Sequence, residues 1–314
     1  MQLSSLTPSP ILQTFRYSDL DEFRQAYRNM DVHFTPTCRT AAPEQAILSL
    51  PGCDIYLLKT FPRILDAGLR EDHTYVGLTM QDPAPLRFNG IMKDRPGLSI
   101  GHGGAGYKVI EEGDSFIATI IFHPEVRRRG WPSKERMFCA CAVTEAGERS
   151  LRCLIAQIFR LAASTSTDLI ATGAAEGLKE SLLAAIDTAI ADQDALEKFR
   201  ISTAKRYFDI VQKIEATINE RFDSPIYSDA LATEIGTSVR TMHNAMQHIR
   251  GMSLHRYLRM KRLWSVRKQL LSGGGQARIG ACALANGFWH LGEFSQFYLS
   301  QFGETPSQTV ARAR

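Results

Sequence analysis

The residues with the most distinctive chemistry in the first half of the sequence form the segment HPEVRRRGW, which begins at His123. Three arginines and a tryptophan follow a predicted strand there: Arg127, Arg128, Arg129 and Trp131. Guanidinium groups bind anionic oxygens through paired hydrogen bonds, and an indole ring offers a stacking face. The segment therefore predicts either a solvated loop or a site for an anionic effector. A cyclic dinucleotide is a candidate, because guanine offers an Arg-pairing edge and a stacking face.

Histidine and cysteine side chains are spaced in a way that disfavours a metal centre. His33, His73, His102 and His123 stand apart, and the six cysteines include no CxxC pair. Because a zinc site needs closely spaced ligands, we expect no metal and no cofactor, isolated histidines that are structural or exposed, and reduced, mostly buried thiols. The glycines of residues 101–106 predict a tight turn between strands, since neither a lysine nor a helix follows them.

Positive charge is concentrated in the last third of the sequence. The whole chain contains 37 Lys and Arg against 33 Asp and Glu, whereas residues 200–314 contain 16 basic and 8 acidic residues. A polyanion such as DNA is the natural partner of such a region. Apolar runs such as Phe116–Phe122 are much shorter than a membrane-spanning helix, and the N-terminus lacks a secretion signal pattern. We therefore expect a cytoplasmic protein without a membrane span.

The elements that must position these residues change character along the chain, whose 314 residues suggest two domains. A short helix over 19–30 is predicted first. Short runs separated by turn-forming clusters then predict strands, which indicates a β-sandwich or barrel. These runs are 46–50, 54–60, 74–80, 85–92, 107–110 and 115–122.

From about Ala146 the apolar residues recur with helical spacing. One face contains Leu151, Leu154, Ile155, Ile158, Leu161 and Ala162. A second helix follows through Leu178, Leu182, Leu183 and Ile186. Because one apolar stripe must be covered, these helices pack either on their own domain or on a partner chain.

The C-terminal region predicts a helix-turn-helix after an amphipathic helix over 207–222. Ser228 is expected to cap a short helix that ends at Gly236, where a glycine permits a left-handed turn. Ser238 is expected to cap the next helix, over 239–249, which ends at Gly251. A glycine turn between two capped helices is typical of a unit whose second helix enters the major groove.

A similar arrangement recurs further along the chain. A long helix over 253–271 is followed by a short helix over 279–285, a turn at Asn286-Gly287-Phe288 and a last helix over 290–302. A connecting helix of about 28 Å can separate two recognition helices by about one DNA turn. The repetition favours a protein that binds double-stranded DNA through two helix-turn-helix units.

These motifs resemble the DNA-binding domain of AraC/XylS-type transcriptional regulators. GFWHLGEFSQFYLSQFGETPS, residues 287–307, is close to that family's signature, and the resemblance extends over 210–306. It implies an α+β protein in which a cupin-like β-barrel and a helical dimerisation segment precede an all-α domain with two helix-turn-helix units. The corresponding domains are a sensing and dimerisation domain over 1–190, a linker over 191–206 and a DNA-binding domain over 207–314.

The resemblance also implies residue roles. Base contacts are assigned to Arg240, His243 and Asn244 in the first unit and to His290, Gly292 and Gln296 in the second. Arginine can pair with guanine, and asparagine or glutamine with adenine. Phosphate or solvent is expected to meet Arg250, Arg256, Arg259, Lys261 and Arg262. The implied protein is a homodimeric, ligand-responsive activator that acts with RNA polymerase and is not an enzyme.

Two features of the second unit lower its expected rigidity. Gly280 disfavours the helix before its recognition helix, and the loop Gly273-Gly274-Gly275 precedes that helix. We therefore expect the two units to bind DNA with unequal strength. The alternative functions are a zinc-dependent DNA-repair or other enzyme tethered to a helix-turn-helix domain, and an interaction module that uses the helices from Ala146 and has lost DNA binding.

Overall fold

The computed structural model divides into two compact units. The first comprises Met1–Phe34 and Ala41–Phe199, and the second comprises Thr35–Thr40 and Arg200–Arg314. The structure describes residues 3–27, 29–39, 41–70, 73–81, 86–92, 97–132, 137–164, 173–191, 198–221, 226–273 and 277–312.

The first unit is built from twelve β-strands and three α-helices among its described residues. The strands are β1 (Leu12–Arg16), β2 (Met30–Pro36), β3 (Glu44–Leu50), β4 (Cys53–Lys59), β5 (Arg63–Leu69), β6 (Thr74–Thr79), β7 (Leu86–Phe88), β8 (Ile91–Met92), β9 (Gly97–His102), β10 (Gly106–Glu111), β11 (Phe116–Phe122) and β12 (Cys139–Ala142). The helices are α1 (Leu20–Gln25), α2 (Glu145–Ser164) and α3 (Ala174–Ala191).

These strands form two antiparallel sheets. The larger sheet has the order β1-β3-β4-β11-β6-β9-β12, and the smaller has the order β2-β5-β10-β7-β8. The sheets meet through aromatic side chains, since the ring centroids of Tyr75 on β6 and Tyr107 on β10 lie 5.7 Å apart. Neither sheet closes on itself among the described strands, so the architecture observed is α+β with two sheets.

The outer face of the larger sheet is covered by α2 and α3. The shared core joins strand residues such as Ile55, Val76 and Ile120 to the helix residues Ile155 and Leu182. Burial of these apolar side chains is the main favourable contribution to the stability of this unit. The predicted apolar faces of these helices therefore pack on their own domain, although Leu161 remains exposed.

Most of the strand predictions are confirmed within one or two residues, and five strands were not predicted. The run 85–92 is divided by a turn at Asn89 and Gly90, both of which have positive φ angles. The turn at 101–106 is confirmed, because Ala105 N donates to His102 O over 2.9 Å and Gly104 has a φ of +78°. The helix predicted over 19–30 is shorter, and Asp19 caps it by accepting from Asp21 N.

The described chain from Lys198 onward consists of helices joined by short connections. The helices are α4 (Lys198–Glu220), α5 (Ser228–Ile235), α6 (Val239–Arg250), α7 (Leu254–Ser272), α8 (Ile279–Ala285), α9 (Leu291–Phe302) and α10 (Pro306–Arg312). The core of this helical region includes the buried side chains Met242, Leu254, Leu258, Leu263, Leu270, Phe288, Phe294 and Phe302. Phe297 is partly buried against the part of this core that contains Phe288, Phe294 and Phe302.

The structure differs from the sequence predictions for these helices in three details. α4 begins at Lys198, so part of the linker predicted over 191–206 is helical, while 192–197 lie outside the described residues. Tyr227 occupies the N-cap of α5, and Ser228 is its first helical residue. α10 was not predicted. Gly274 and Gly275 lie outside the described residues.

Candidate nucleic-acid interface

The first helix-turn-helix unit is defined by well-formed helix ends. α5 ends at Gly236, whose φ is +76°, and Thr237 N donates to Ala232 O over 2.9 Å across the turn. Ser238 then caps α6, because its hydroxyl accepts from Thr241 N over 3.1 Å. These bonds satisfy backbone groups that helix ends leave without partners and set the angle between the two helices.

α6 presents a polar face and buries an apolar one. Arg240, His243 and Asn244 are exposed, as expected of side chains that could reach base edges. The buried face consists of Met242, Ala245, Met246 and Ile249. Gln247 is also exposed, one turn after His243, and was not among the predicted base contacts. Helical spacing from Arg240 and Asn244 is the signal that could have found it.

The expectation that Arg250 meets phosphate or solvent is wrong. Its side chain is fully buried, and its Nε donates to Glu215 Oε1 on α4 over 2.7 Å. Tyr257 on α7 donates its hydroxyl to the same carboxylate oxygen over 2.7 Å. A buried charge is stable only when it is paired, so these three residues form an ionic connection between α4, α6 and α7.

The remaining cations of α7 lie at different depths. Arg256 and Arg259 are exposed, and Lys261 and Arg262 are half-buried. The Arg259 guanidinium lies 4.1 Å from the centroid of the Phe297 ring, a cation–π contact with α9. These side chains supply positive charge along the helix that connects the two units.

The second unit has a turn fixed by side chains. Asn286 is buried, and its Nδ2 donates to Gln269 Oε1 on α7 over 3.0 Å. Gly287 has a φ of +75°, which is strained for any residue with a side chain, and a Cβ there would lie 2.9 Å from Arg262 Cζ, so the Arg262 side chain would have to move. Phe288 packs on Phe294 with ring centroids 5.1 Å apart. The turn therefore orients α9 against α7.

The exposed face of α9 differs in chemistry from that of α6. His290 at its N-cap, Gly292 and Gln296 are exposed, and no atom of the described residues lies within 4 Å of the position a Cβ would take on Gly292. The helix sequence LGEFSQFYLSQF contains no Lys or Arg. Large apolar side chains beside this face are also exposed, namely Trp289, Leu291 and Leu299. No role was predicted for these three side chains from the sequence.

Glu304, in the turn before α10, connects that helix with α7. Its Oε1 lies 2.8 Å from Arg267 Nη1 on α7 and 3.2 Å from Arg312 Nη2. Thr305 and Gln308 form reciprocal bonds at the helix start, since Gln308 Oε1 accepts from Thr305 N over 2.7 Å and Thr305 Oγ1 accepts from Gln308 N over 3.3 Å. This capping box, with Pro306 as the first helical residue, is the sequence signal that could have predicted α10.

The arginine-rich segment of the first unit forms a short 3-10 helix, Pro124–Arg129. Arg127 and Arg128 are exposed. Arg129 Nη2 lies 3.3 Å from Glu180 on α3, and Arg129 also pairs with Asp187. Trp131 is buried, and its Nε1 donates to Asp187 Oδ1 over 2.6 Å. Two of the four predicted effector residues therefore already bind α3, and two face outward.

His102 lies beside this segment. Burial lowers the pKa of His102, the positive charge of Arg127 lowers it further, and a hydrogen bond with the Trp131 backbone opposes both.

Within the described ranges, no three His, Cys, Asp or Glu side chains are placed so that they could hold a metal ion. No helix of the described chain is both long and apolar enough to cross a membrane.

Comparison with known proteins identifies relatives of the C-terminal region. Residues 231–312 match a family model described as a helix-turn-helix domain. A XylDLEGF operon transcriptional activator from Pseudomonas putida is 32% identical over 104 residues, which are 33% of this chain and 32% of that protein. The chain thus spans about a third of the length of the curated relatives it matches.

Two of the solved structures that resemble this chain match about a third of it. A probable AraC family transcriptional regulator from Rhodopseudomonas palustris is 34% identical, with a TM-score of 0.32, and covers 34% of this chain and 98% of its own. A transcriptional regulator from Chromobacterium violaceum with an AraC-type DNA-binding domain is 23% identical, with a TM-score of 0.32, and covers 35% of this chain and 96% of its own.

Proposed function

Because the C-terminal region of this chain is an AraC/XylS-type helix-turn-helix domain, we propose that the whole protein is an effector-responsive transcriptional activator that binds double-stranded DNA. The observation that carries the proposal is the capped α6 helix, which presents Arg240, His243 and Asn244 outward. In this proposal α6 and α9 enter successive major-groove segments on one side of the DNA.

The proposed base contacts follow from side-chain chemistry. Arg240 donates two hydrogen bonds to guanine O6 and N7, and Asn244 and Gln296 pair with adenine N6 and N7. His243 and His290 each present one ring nitrogen to a base edge. Gly292 lets the backbone of α9 approach the DNA closely, which the open space around it supports. Arg256 and Arg259 contact phosphates.

The first unit serves as the sensor in this proposal, with a cupin-like arrangement of its two sheets. An anionic effector, of which a cyclic dinucleotide is one example, binds the exposed guanidinium groups of Arg127 and Arg128. Arg129 and Trp131 hold the segment on α3, so an effector there acts on that helix. The protein works as a homodimer through the helices after Ala146 and recruits RNA polymerase.

The proposal is tested by fluorescence anisotropy with labelled DNA from the region upstream of the protein's own gene. We expect saturable binding that weakens as the salt concentration rises, because phosphate contacts release counterions. Arg240→Ala should weaken specific binding by about 1–3 kcal/mol. Arg149→Ala is the charge-matched control, since Arg149 is exposed on α2 in the first unit and should leave binding unchanged. Salt-insensitive binding, or equal effects of both variants, contradicts the proposal.

A further inference from the structure

The surface around the start of α9 exposes large apolar side chains to water. Trp289 is 64% exposed, and Leu291, the first residue of α9, is 44% exposed. Leu284 on the preceding helix, α8, is 43% exposed. Apolar surface in contact with water is unfavourable, so several such side chains beside one another indicate a surface that binds another molecule.

Leu291 lies beside α8. A Cβ on Gly280 of α8 would lie 3.6 Å from Leu291 Cδ1, which is an ordinary van der Waals distance. Leu284 follows Gly280 by four positions and therefore lies on the same side of α8. Leu284 and Leu291 thus border one apolar surface, which includes the first turn of α9.

Leu291 occupies a position from which a recognition helix contacts bases. The N-terminal residues of such a helix contact base edges in the major groove, and Leu291 stands between His290 and Gly292, two of the proposed base contacts. No described atom lies within 4 Å of the position that a Cβ would take on Gly292. The backbone of this turn can therefore approach the DNA closely, which brings the neighbouring leucine side chain toward the base edges.

The first turn of α9 contains few groups that can form hydrogen bonds with bases. The whole helix contains no Lys or Arg, and Gly292 has no side chain. A leucine forms no hydrogen bond, but it can contact the apolar group that the major groove presents, the C5-methyl group of thymine. Because adenine, guanine and cytosine lack this methyl group, such a contact distinguishes thymine from the other three bases.

We infer that Leu291 contacts a thymine methyl group in the DNA site of the second helix-turn-helix unit and so contributes to the sequence specificity of α9. The surface is assigned to DNA because Leu291 is flanked by His290 and Gly292, so whatever covers the leucine also covers these two residues. The inference rests on the proposed DNA-binding function, since α9 has to enter the major groove for Leu291 to reach a base.

The test compares the affinity of the full-length protein for two DNA duplexes that differ only in methyl groups. One is the upstream DNA of the anisotropy experiment, and the other has deoxyuridine in place of every thymidine, which keeps the base pairing and the charge. We expect the wild-type protein to bind the thymidine duplex at least about fourfold more tightly, which is the effect of burying one methyl group. Leu291→Ala should reduce this affinity ratio by about fourfold.

Leu299→Ala is the matched control variant. Leu299 is 47% exposed on the same helix, about two turns after Leu291, so the substitution removes the same groups from a similarly exposed position farther from the N-terminus of α9. This variant should keep the wild-type affinity ratio. Leu291→Met retains an apolar side chain and should keep most of the ratio.

Each ratio compares two duplexes bound by the same protein, so a change in protein stability does not alter it. Equal affinity of the wild-type protein for both duplexes would overturn the inference while leaving the proposed DNA binding intact. An unchanged ratio in Leu291→Ala, or an equal reduction in Leu299→Ala, would also overturn it, because the thymine methyl groups would then contact other residues and the apolar surface would face a protein partner or solvent. Binding to neither duplex would contradict the proposed function and, with it, the inference.

Discussion

The side chain of Arg250 is fully buried against Glu215, where it would otherwise be an uncompensated charge. Glu215→Ala leaves that guanidinium without its counter-ion in a low-dielectric environment. We expect the variant to lower the free energy of unfolding by about 3–5 kcal/mol. Urea denaturation followed by circular dichroism measures this change.

The matched control is Arg221→Ala, which breaks the exposed ion pair between Arg221 and Glu234. Exposed pairs contribute about 0–1 kcal/mol, because water and salt screen them. If Glu215→Ala costs no more than this control, the buried pair does not hold α4 and α6 together.

Sequence spacing contained part of the information about Arg250. The residue falls on the same helical face as Met242, Met246 and Ile249, which predicts burial. Its basic side chain next to a glycine was instead interpreted as a surface group. The partner Glu215 lies 35 positions earlier, and no local pattern indicates a pairing over that distance.

The thiols of Cys53 and Cys153 should differ in their reactivity with alkylating reagents. Burial raises the pKa of Cys53 to about 12, whereas Cys153 is exposed. Since only the thiolate reacts with iodoacetamide, Cys153 should be alkylated at pH 8 while Cys53 remains protected. Peptide mass spectrometry measures both sites. Urea-unfolded protein is the control, in which both should react, and labelling of native Cys53 at the Cys153 rate would contradict the prediction.

Among the helices, α9 contains a glycine, Gly292, whose substitution should change protein stability and DNA affinity in opposite directions. It lies in the first turn of α9, exposed and with open space where a Cβ would be. Gly292→Ala should raise helix stability by up to about 1 kcal/mol, because alanine loses less backbone entropy. The added methyl group should nevertheless weaken DNA binding if the backbone approaches the bases here. Thermal unfolding and anisotropy on the same sample check both signs.

Gly287→Ala, in the turn that precedes α9, is the comparison variant. Its φ of +75° is unfavourable for any residue with a Cβ, so stability should fall by about 1–2 kcal/mol, while the flexible end of the Arg262 side chain can move aside. Tighter DNA binding by Gly292→Ala would contradict the assignment of Gly292 to the interface.

The strands and helices were predictable to different degrees. Strands rich in β-branched and aromatic residues, such as Phe116–Phe122, were found from sequence. β5, β9 and β12 were missed because RILDAGL, GLSIGH and CACA contain small or polar residues that weaken the pattern. These strands form because neighbouring strands of the sheets pair with them, and a local sequence pattern does not indicate such pairing. The helix ends at Gly236 and Ser238 were predicted because helix capping depends on residues that are close together in the sequence.

At the scale of the whole molecule, the described chain divides into one unit that contains both sheets and a second unit that is mostly helical. The buried ion pair between Arg63 and Glu111 could not be predicted from sequence, because only the pairing of β5 with β10 brings these two residues together. Arg127–Trp131 were conspicuous in sequence, yet Arg129 and Trp131 bind α3. The clustering of arginines along the chain therefore did not show which of these side chains are already engaged.

The two DNA-binding units should contribute unequally to the whole protein's affinity. α6 presents Arg240, whereas the α9 sequence has no Lys or Arg and exposes Glu293 near its start. Arg240 can make two charge-assisted hydrogen bonds to guanine, whereas Gln296 is neutral, so Arg240→Ala should weaken specific binding more than Gln296→Ala. Both residues are assigned to base edges, so both variants should relax the preference among DNA sequences and leave the salt slope, which phosphate contacts set, nearly unchanged. Arg256→Ala removes a proposed phosphate contact and is the comparison variant, which should reduce that slope by about one unit. Anisotropy titrations between about 50 and 200 mM salt measure both quantities. A larger loss of affinity in Gln296→Ala than in Arg240→Ala would contradict the unequal contribution of the two units.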